Sequence, residues 1–516
     1  MKNFLKVYNK SVCGAISGWD RIRFRGTIRW LAHTSGINTY LNVNNILLKN
    51  FGAFSESITK QVVAMCSAQA EALDIPMIYL SSAGTDKEAY ARRIMKERNI
   101  KTGDICMFST VEPCMAPLLK GNKATKKIEL TIARRKCKWI YHYWNDEKLG
   151  FGHIRLQTWL PLSITICLNG RHWLERQLIE EGVDFVKDGN CFTHISDYAK
   201  AQKLLDNQNE SEWPKLLDGL LQRICPGIHE IFKSMLLNYY WSADETEQAS
   251  DIVFKSKEKL DRLFPMLVRY GMLIAQSPTV MRFLGRLSNR GSKPNEVISD
   301  CRKRYEGVRI KHFVNKNSVK LYNKAGNVLR TETTINNTRD FKVYRHPNDD
   351  TSKPASWQKM RKGVSDLHRR SKVSKAANER YLDSLASAKV GINLQETVGS
   401  CCKRKTIDGK KYRALNLFSG EDLETLQFLA KGENSINGFR NKNLRIHLYG
   451  EQDCPTLKKS LSSKTSRRLR LFRAHGLIKK VPKTNRYVLT KKGCKVATTV
   501  LAASNVDTEQ LMEMVI

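Results

Sequence analysis

Between residues 456 and 498 the chain carries fourteen lysines and arginines and no aspartate or glutamate. That much positive charge cannot be buried without partners, so every element in the stretch must set one face on a core and turn the other outward. The apolar residues allow this. Leu469, Leu471 and Phe472 anchor a helix over 463–475. Gly476 stands where a helix C-cap glycine belongs. Leu477-Ile478, the basic turn KKVPKTN and Arg486 to Thr490 then read as strand, turn, strand. Upstream, Ser419 followed by Glu421 and Asp422 opens a helix whose apolar positions are Leu423, Leu426, Phe428 and Leu429. A second helix is expected over 437–448.

The same charge pattern bounds the function. The chain holds 88 Lys and Arg against 50 Asp and Glu, a formal +38. Residues 301–380 add a second basic stretch, 21 against 7. Such a field attracts nucleic acid or anionic membrane and disfavours a housekeeping metabolic enzyme. Apolar residues at 41 % give enough material for cores, which excludes a disordered basic tail. No apolar run reaches the ~18 residues of a membrane span. The first residues lack the apolar region of a signal peptide. Thirteen scattered cysteines with no CxxC pair argue against a disulfide framework or zinc ribbon. Buried thiols in a reducing cytoplasm are expected instead, and no membrane partner.

The expected fold class is multidomain α/β and α+β. Residues 1–195 read as an α/β domain with antiparallel strands at 127–168, and residues 196–300 as a helical region. Residues 301–395 read as a basic β-hairpin plus helix, and 405–516 as a winged helix-turn-helix. In the first part, IPMIYL, a helix near 85–99 and GDICMFSTV give strand, helix, strand, the order of a parallel unit. Its turn SSAGTDKE is neither GxxxxGK[ST] nor GxGxxG. Glu247 and Asp251 are expected on one face of a helix, as solvated acids. The stretch 386–411 reads as a linker.

Candidate chemistry gathers in three places. Strands at 308–314, 318–324 and 328–335 make a basic hairpin region. If their faces coincide, Lys320, Tyr322, Arg330 and Glu332 cluster, with a cross-strand ion pair as the alternative. His142 and His153 flank a turn at 148–152. They suggest a metal site completed by Glu112 or Glu129. Trp139, Tyr141, Tyr143, Trp144 and Trp159, interleaved with Arg and Lys, equally suggest a base-stacking sheet or ordinary core. Asp20 opens a basic strand, and with Glu112 and Glu332 it is a candidate Mg²⁺ or Mn²⁺ ligand. No serine nucleophile elbow occurs.

Three resemblances add to this reading. LRLFRAHGLIKKVPKTNRYVLTKKG resembles the winged helix-turn-helix of MarR-like transcription regulators. That implies a recognition helix in the major groove of duplex DNA, a wing along the backbone and a homodimer as one assembly. Arg467, Arg468, Arg470 and Arg473 are then the helix contacts, and Lys480, Lys483 and Arg486 the wing contacts. SVKLYNKAGNVLRTE resembles a segment of rolling-circle replication initiators. The likeness implies Tyr322 as nucleophile and Glu332 as metal ligand, with Lys320 and Arg330 meeting nucleic acid. FRGTIR, VEPC, HIRLQTW, NGRHWL, YYWS, EGVRIKH and LRTETTIN resemble a family of uncharacterised bacterial proteins with a mobile-element context. The sum is a DNA-binding protein that processes DNA for a mobile element. A non-catalytic regulator and a binder of structured RNA are the alternatives.

Overall fold

The structure is a computed structural model that describes residues 1–124, 126–274, 280, 283–285, 297–304, 307–386, 394–431, 434, 438–482 and 484–504. In chain order the elements are α1 (Lys2–Tyr8), β1 (Val12–Thr27), α2 (Thr34–Val43), α3 (Phe51–Ala72), β2 (Met77–Leu80), α4 (Lys87–Glu97), β3 (Gly103–Asn122), β4 (Lys127–Asp146), β5 (Gly150–Gln157) and β6 (Ile164–Asn169). Then come α5 (Gly170–Glu180), β7 (Phe185–Asp188), β8 (Cys191–Ile195), α6 (Tyr198–Asn207), α7 (Trp213–Ile224), β9 (Tyr240–Phe254), α8 (Lys257–Ile274), β10 (Val297–Arg304), β11 (Gly307–Val314), β12 (Asn317–Lys324) and β13 (Val328–Ile335). The last are β14 (Lys342–Arg345), β15 (Ser356–Lys359), α9 (Leu367–Leu385), α10 (Leu394–Val398), β16 (Lys405–Ile407), β17 (Lys410–Tyr412), α11 (Gly420–Ala430), β18 (Phe439–Arg440), α12 (Asn441–Tyr449), α13 (Pro455–Ala474), β19 (Ile478–Lys480), β20 (Arg486–Leu489) and α14 (Lys491–Ser504).

The chain divides into two compact units. The first comprises Ala15–Ala249 and Thr334–Lys375, the second Met1–Gly14, Ser250–Thr333 and Ala376–Ile516. In the first, strand order is β9-β1-β6-β5-β4-β3-β2 in a mixed sheet. Strands β2 and β3 run parallel, as the helix α4 between them requires. From β3 through β6 to β1 the pairing is antiparallel. One core sets α2, α3 and α7 against Trp19, Ile22, Phe24, Ile140 and Ile154. Phe51, Ser55, Ile58, Val62, Cys66 and Ala70 recur at three- and four-residue steps along α3 and are all buried. Each large apolar side chain so buried contributes about 1.5–3 kcal/mol. A second cluster packs Ala91 and Ile94 of α4 against Phe108, Tyr141 and Tyr143.

In the second unit the order is β10-β11-β12-β13-β9, because β9 crosses the division after Ala249. Ala325 (φ 55°) and Gly326 (φ 84°) both take positive φ between β12 and β13. A tight hairpin turn needs that conformation, and Gly supplies it without strain. Leu382 and Leu385 of α9 are buried in this unit. There too Tyr381 meets His312, the hydroxyl 3.0 Å from Nε2. The C-terminal stretch folds as α11, β18, α12, α13, β19, β20 and α14, with small-sheet order β18-β20-β19. Among the described residues no helix is long and apolar enough to cross a membrane.

Several expectations change. The stretch 196–300 is not helical throughout, since 240–254 is strand β9. Glu247 and Asp251 therefore lie on a strand rather than a helix. The expected linker contains α10 and the hairpin β16–β17. All thirteen cysteines are free, but Cys13, Cys301, Cys402 and Cys454 are exposed rather than buried.

Candidate nucleic-acid interface and carboxylate sites

The C-terminal helices are held by the two acids that open α11. Asp422 is buried and accepts both Arg413 amino groups, at 2.7 and 2.9 Å. Arg468 of α13 donates to Asp422 at 2.8 Å and also to Glu421, which in turn takes Lys464 at 2.8 Å. Arg468 is thus a clasp between α13 and α11, not a surface contact. Burial by itself would raise the Asp422 carboxyl, but Arg413, the Asn416 amide and Arg468 hold it below its usual value. The Lys464 ammonium, ahead of Arg468, does the same for Glu421. The unfolded chain protonates these carboxyls near pH 4, the folded chain lower still. The clasp therefore stabilises fully above about pH 4–5 and is lost as pH falls through the depressed values. Acidification below pH 4 should raise amide exchange along α11 and α13. Exchange unchanged down to pH 3 would remove the clasp as their tether.

With Arg468 turned inward, the outer face of α13 is left to Lys458, Lys459, Arg467, Arg470 and Arg473, all exposed. Its inner face buries Leu469, Leu471 and Phe472, as expected. The helix begins at Pro455, a full two turns before the expected start, which brings Lys458 and Lys459 onto the same surface. Gly476 ends the helix with φ 73°. Between α12 and α13 lies an open depression lined by Arg445, Lys458, Lys459, Ser462, Arg467 and Arg470. Arg445 is 8 % exposed. Its Nη1 donates to the Lys458 carbonyl at 3.3 Å, while its Nε has no partner among the described residues. Buried donors seek acceptors, and an anion seated here would supply one. Lys480 and Arg486 are exposed on the β19–β20 hairpin, and Lys483 lies outside the described residues.

The strands β12 and β13 bring Lys320, Tyr322 and Glu332 together. The Lys320 ammonium pairs with one carboxylate oxygen of Glu332, and the Tyr322 hydroxyl donates to the other at 2.8 Å. Glu332 is 3 % exposed. Burial works to raise its carboxyl, yet Lys320, then Arg330 and Tyr322, hold it ionised. Arg330 does not join them. It is fully buried and grips Asp251 with Nε and Nη2 at 2.6 and 2.9 Å. Neither Lys320 nor Arg330 is a nucleic-acid contact as expected, because each is spent on a buried carboxylate.

In the other unit Asp20 finds a partner that sequence did not propose. Carboxylate oxygens of Asp20 and Glu247 lie within 4.8 Å of each other. Asn190 donates to Asp20 at 2.7 Å and the Arg171 Nε stands at 3.9 Å. Asn169 fixes Arg171 by capping α5. Glu247 takes Arg21 Nε at 3.2 Å. Two carboxylates this close, each beside an arginine, are a familiar starting point for a divalent cation. Glu112 is not part of it: Lys87 at 3.0 Å, Arg155 at 2.6 Å and the Tyr141 hydroxyl at 2.8 Å already compensate it.

The two histidines do not form a metal site. His142 pairs across the ladder with Ile154, and His153 with Tyr143. Since side chains alternate along a strand, the two rings project from opposite faces. His142 meets Asp104 at 2.9 Å, and His153 stacks on Tyr143 at 4.9 Å, where burial pushes its imidazole down to about 4. Trp139, Tyr141, Tyr143 and Trp144 are buried, so core packing accounts for them. No protein-family model, curated protein or solved structure matches the chain.

Proposed function

We propose that the protein binds nucleic acid, and that its C-terminal part is a winged helix-turn-helix which docks α13 on duplex DNA. The observation that carries this is the outer face of α13, where five exposed cations have no ion pair among the described residues. The clasping acids of α11 are all taken by Arg413, Lys464 and Arg468. The order helix, short strand, helix, helix, hairpin supports the same reading, as does the likeness of this stretch to MarR-like regulators. On this reading Lys480 and Arg486 belong to the wing. Affinity for duplex DNA should fall about 10³-fold or more between 50 and 200 mM salt for six or more phosphate contacts. A flat salt dependence would overturn the reading. Footprinting that returns a single palindromic site would point to a regulator. Co-purified RNA in place of DNA would point to a structured-RNA binder.

A second reading, processing of DNA for a mobile element, is favoured by the Asp20–Glu247 carboxylate pair and by Tyr322. Asp20 and Glu247 would hold Mg²⁺ or Mn²⁺, which polarises a phosphate. Tyr322 donates its hydroxyl to Glu332, which would orient the phenol oxygen for attack on a phosphate. Nicking of labelled single- and double-stranded DNA with either metal is the test. Cleavage lost in both Glu247→Gln and Tyr322→Phe would support both roles. Cleavage intact in Tyr322→Phe would restrict the chemistry to metal and water.

A further inference from the structure

The hairpin β14–β15 has two unlike faces. Val343, Arg345 and Met360 are buried beneath it, with Phe341 at its foot. Arg345 ties the underside down, donating to the carbonyls of His346 at 3.1 Å and Lys359 at 3.3 Å. Asp366 lies 3.7 Å from its Nε. The upper face consists of two cross-strand pairs, Lys342 opposite Lys359 and Tyr344 opposite Trp357. Tyr344 is 60 % and Trp357 66 % exposed, and their ring centroids lie 5.8 Å apart with the planes at 67°, edge to face.

The edge-to-face Tyr344–Trp357 pair stabilises the hairpin, but self-stabilisation does not account for the opposed lysines or for the exposure of both rings. Like charges directly opposite each other weaken a strand pair. A hairpin selected for its own stability would pair a lysine with an acid, and among the described residues neither Lys342 nor Lys359 has an ion pair. Buried aromatics contribute through the area they cover. These two leave most of theirs in water while the residues beneath them are sealed. The result is a face of two largely exposed rings flanked by two cations that have no ion pair among the described residues.

We propose that this face binds unpaired nucleotides of a single-stranded nucleic acid, with bases stacked on Trp357 and Tyr344 and phosphates set against Lys342 and Lys359. Rings stack on any base, and the lysines match the backbone in sign, so the platform tolerates sequence. A base-paired duplex offers no free base face and is not a ligand here. The inference rests on the nucleic-acid reading for the class of polyanion, but it concerns a different surface and a different strand state.

The test uses the full chain and fluorescence anisotropy with labelled oligo(dT), oligo(rU) of equal length and a duplex. Heparin serves as a polyanion without bases. Tyr344→Ala and Trp357→Ala should each weaken oligonucleotide binding by about 5- to 150-fold, the effect of ~1–3 kcal/mol per stacked base. Trp357→Phe should keep most of the affinity, and duplex and heparin binding should not move. Both alanine changes are at exposed positions, and unchanged circular dichroism checks the fold. The better-bound of oligo(dT) and oligo(rU) identifies DNA or RNA as the source. Equal loss for oligonucleotide, duplex and heparin would overturn the proposal, as would an unaltered double-alanine variant. Wild type that binds duplex but no oligonucleotide would also overturn it, leaving the duplex reading intact. Oligonucleotide binding through the platform without duplex binding would sustain it and sink the other.

Discussion

Asp251→Ala should destabilise the protein by about 3–5 kcal/mol, measured as the shift in a urea unfolding curve. The reason is what it leaves behind. Arg330 is 0 % exposed and its guanidinium is held by both Asp251 oxygens. Removing the carboxylate takes two charge-assisted hydrogen bonds from a buried guanidinium that cannot be neutralised by losing a proton, since arginine stays charged. Asp251→Asn should cost less, because one acceptor remains. Replacing both partners by apolar residues, Arg330→Met with Asp251→Leu, should recover most of the loss, because a buried pair repays little beyond its own desolvation. A shift under ~1 kcal/mol for Asp251→Ala would mean that Arg330 reaches water or another acceptor when released. The consequence extends along β13. Arg330 and Glu332 sit two residues apart on that strand, so a loosened Arg330 should also disturb the Lys320–Tyr322–Glu332 group.

The same residues show why part of the molecule was hidden in the sequence. Strand β9 runs through Ser242, Thr246, Gln248, Ser250 and Asp251, all buried. A buried strand ordinarily announces itself by an apolar run, and here the polar groups are compensated by partners far along the chain. Gln248 accepts from Ser371, Ser250 from Asn378, and Asp251 takes Arg330. None of those pairings leaves a local trace, so the segment reads as a helix with solvated acids. Glu247 was missed as the neighbour of Asp20 for the same reason. Elements that follow local rules were legible. Gly476 did end a helix, and the strands 317–324 and 328–335 meet at a glycine turn. The clustering of Lys320, Tyr322 and Glu332 followed from period-two alternation once the turn was placed. Arg468 was misjudged because helical spacing gives a face, not its occupant. Only the position of Asp422 and Glu421 shows that one arginine of the four points inward.

That distinction makes the largest functional prediction a comparison among neighbouring arginines. Replacing Arg467, Arg470 and Arg473 together by glutamine should weaken duplex DNA binding roughly 100-fold near 0.1 M salt, taking ~1 kcal/mol per lost phosphate contact. The slope of log K against log salt should become shallower by about 2.7, since each phosphate contact contributes ~0.9. Stability should stay close to wild type, because these side chains are exposed and have no ion pair among the described residues. Arg468→Gln should behave in the opposite way. It severs the links to Asp422 and Glu421, so thermal stability of the C-terminal helices should drop. The salt slope should hold, because the number of phosphates neutralised has not changed. Titrations of both variants against one duplex over a range of salt separate the two roles. If Arg468→Gln alone flattened the slope, the inward clasp would be opening on DNA and the recognition face would include it. If the triple variant kept its slope, the basic face of α13 would not be where the backbone lies. The platform on β14–β15 and the depression around Arg445 would then be the next surfaces to neutralise.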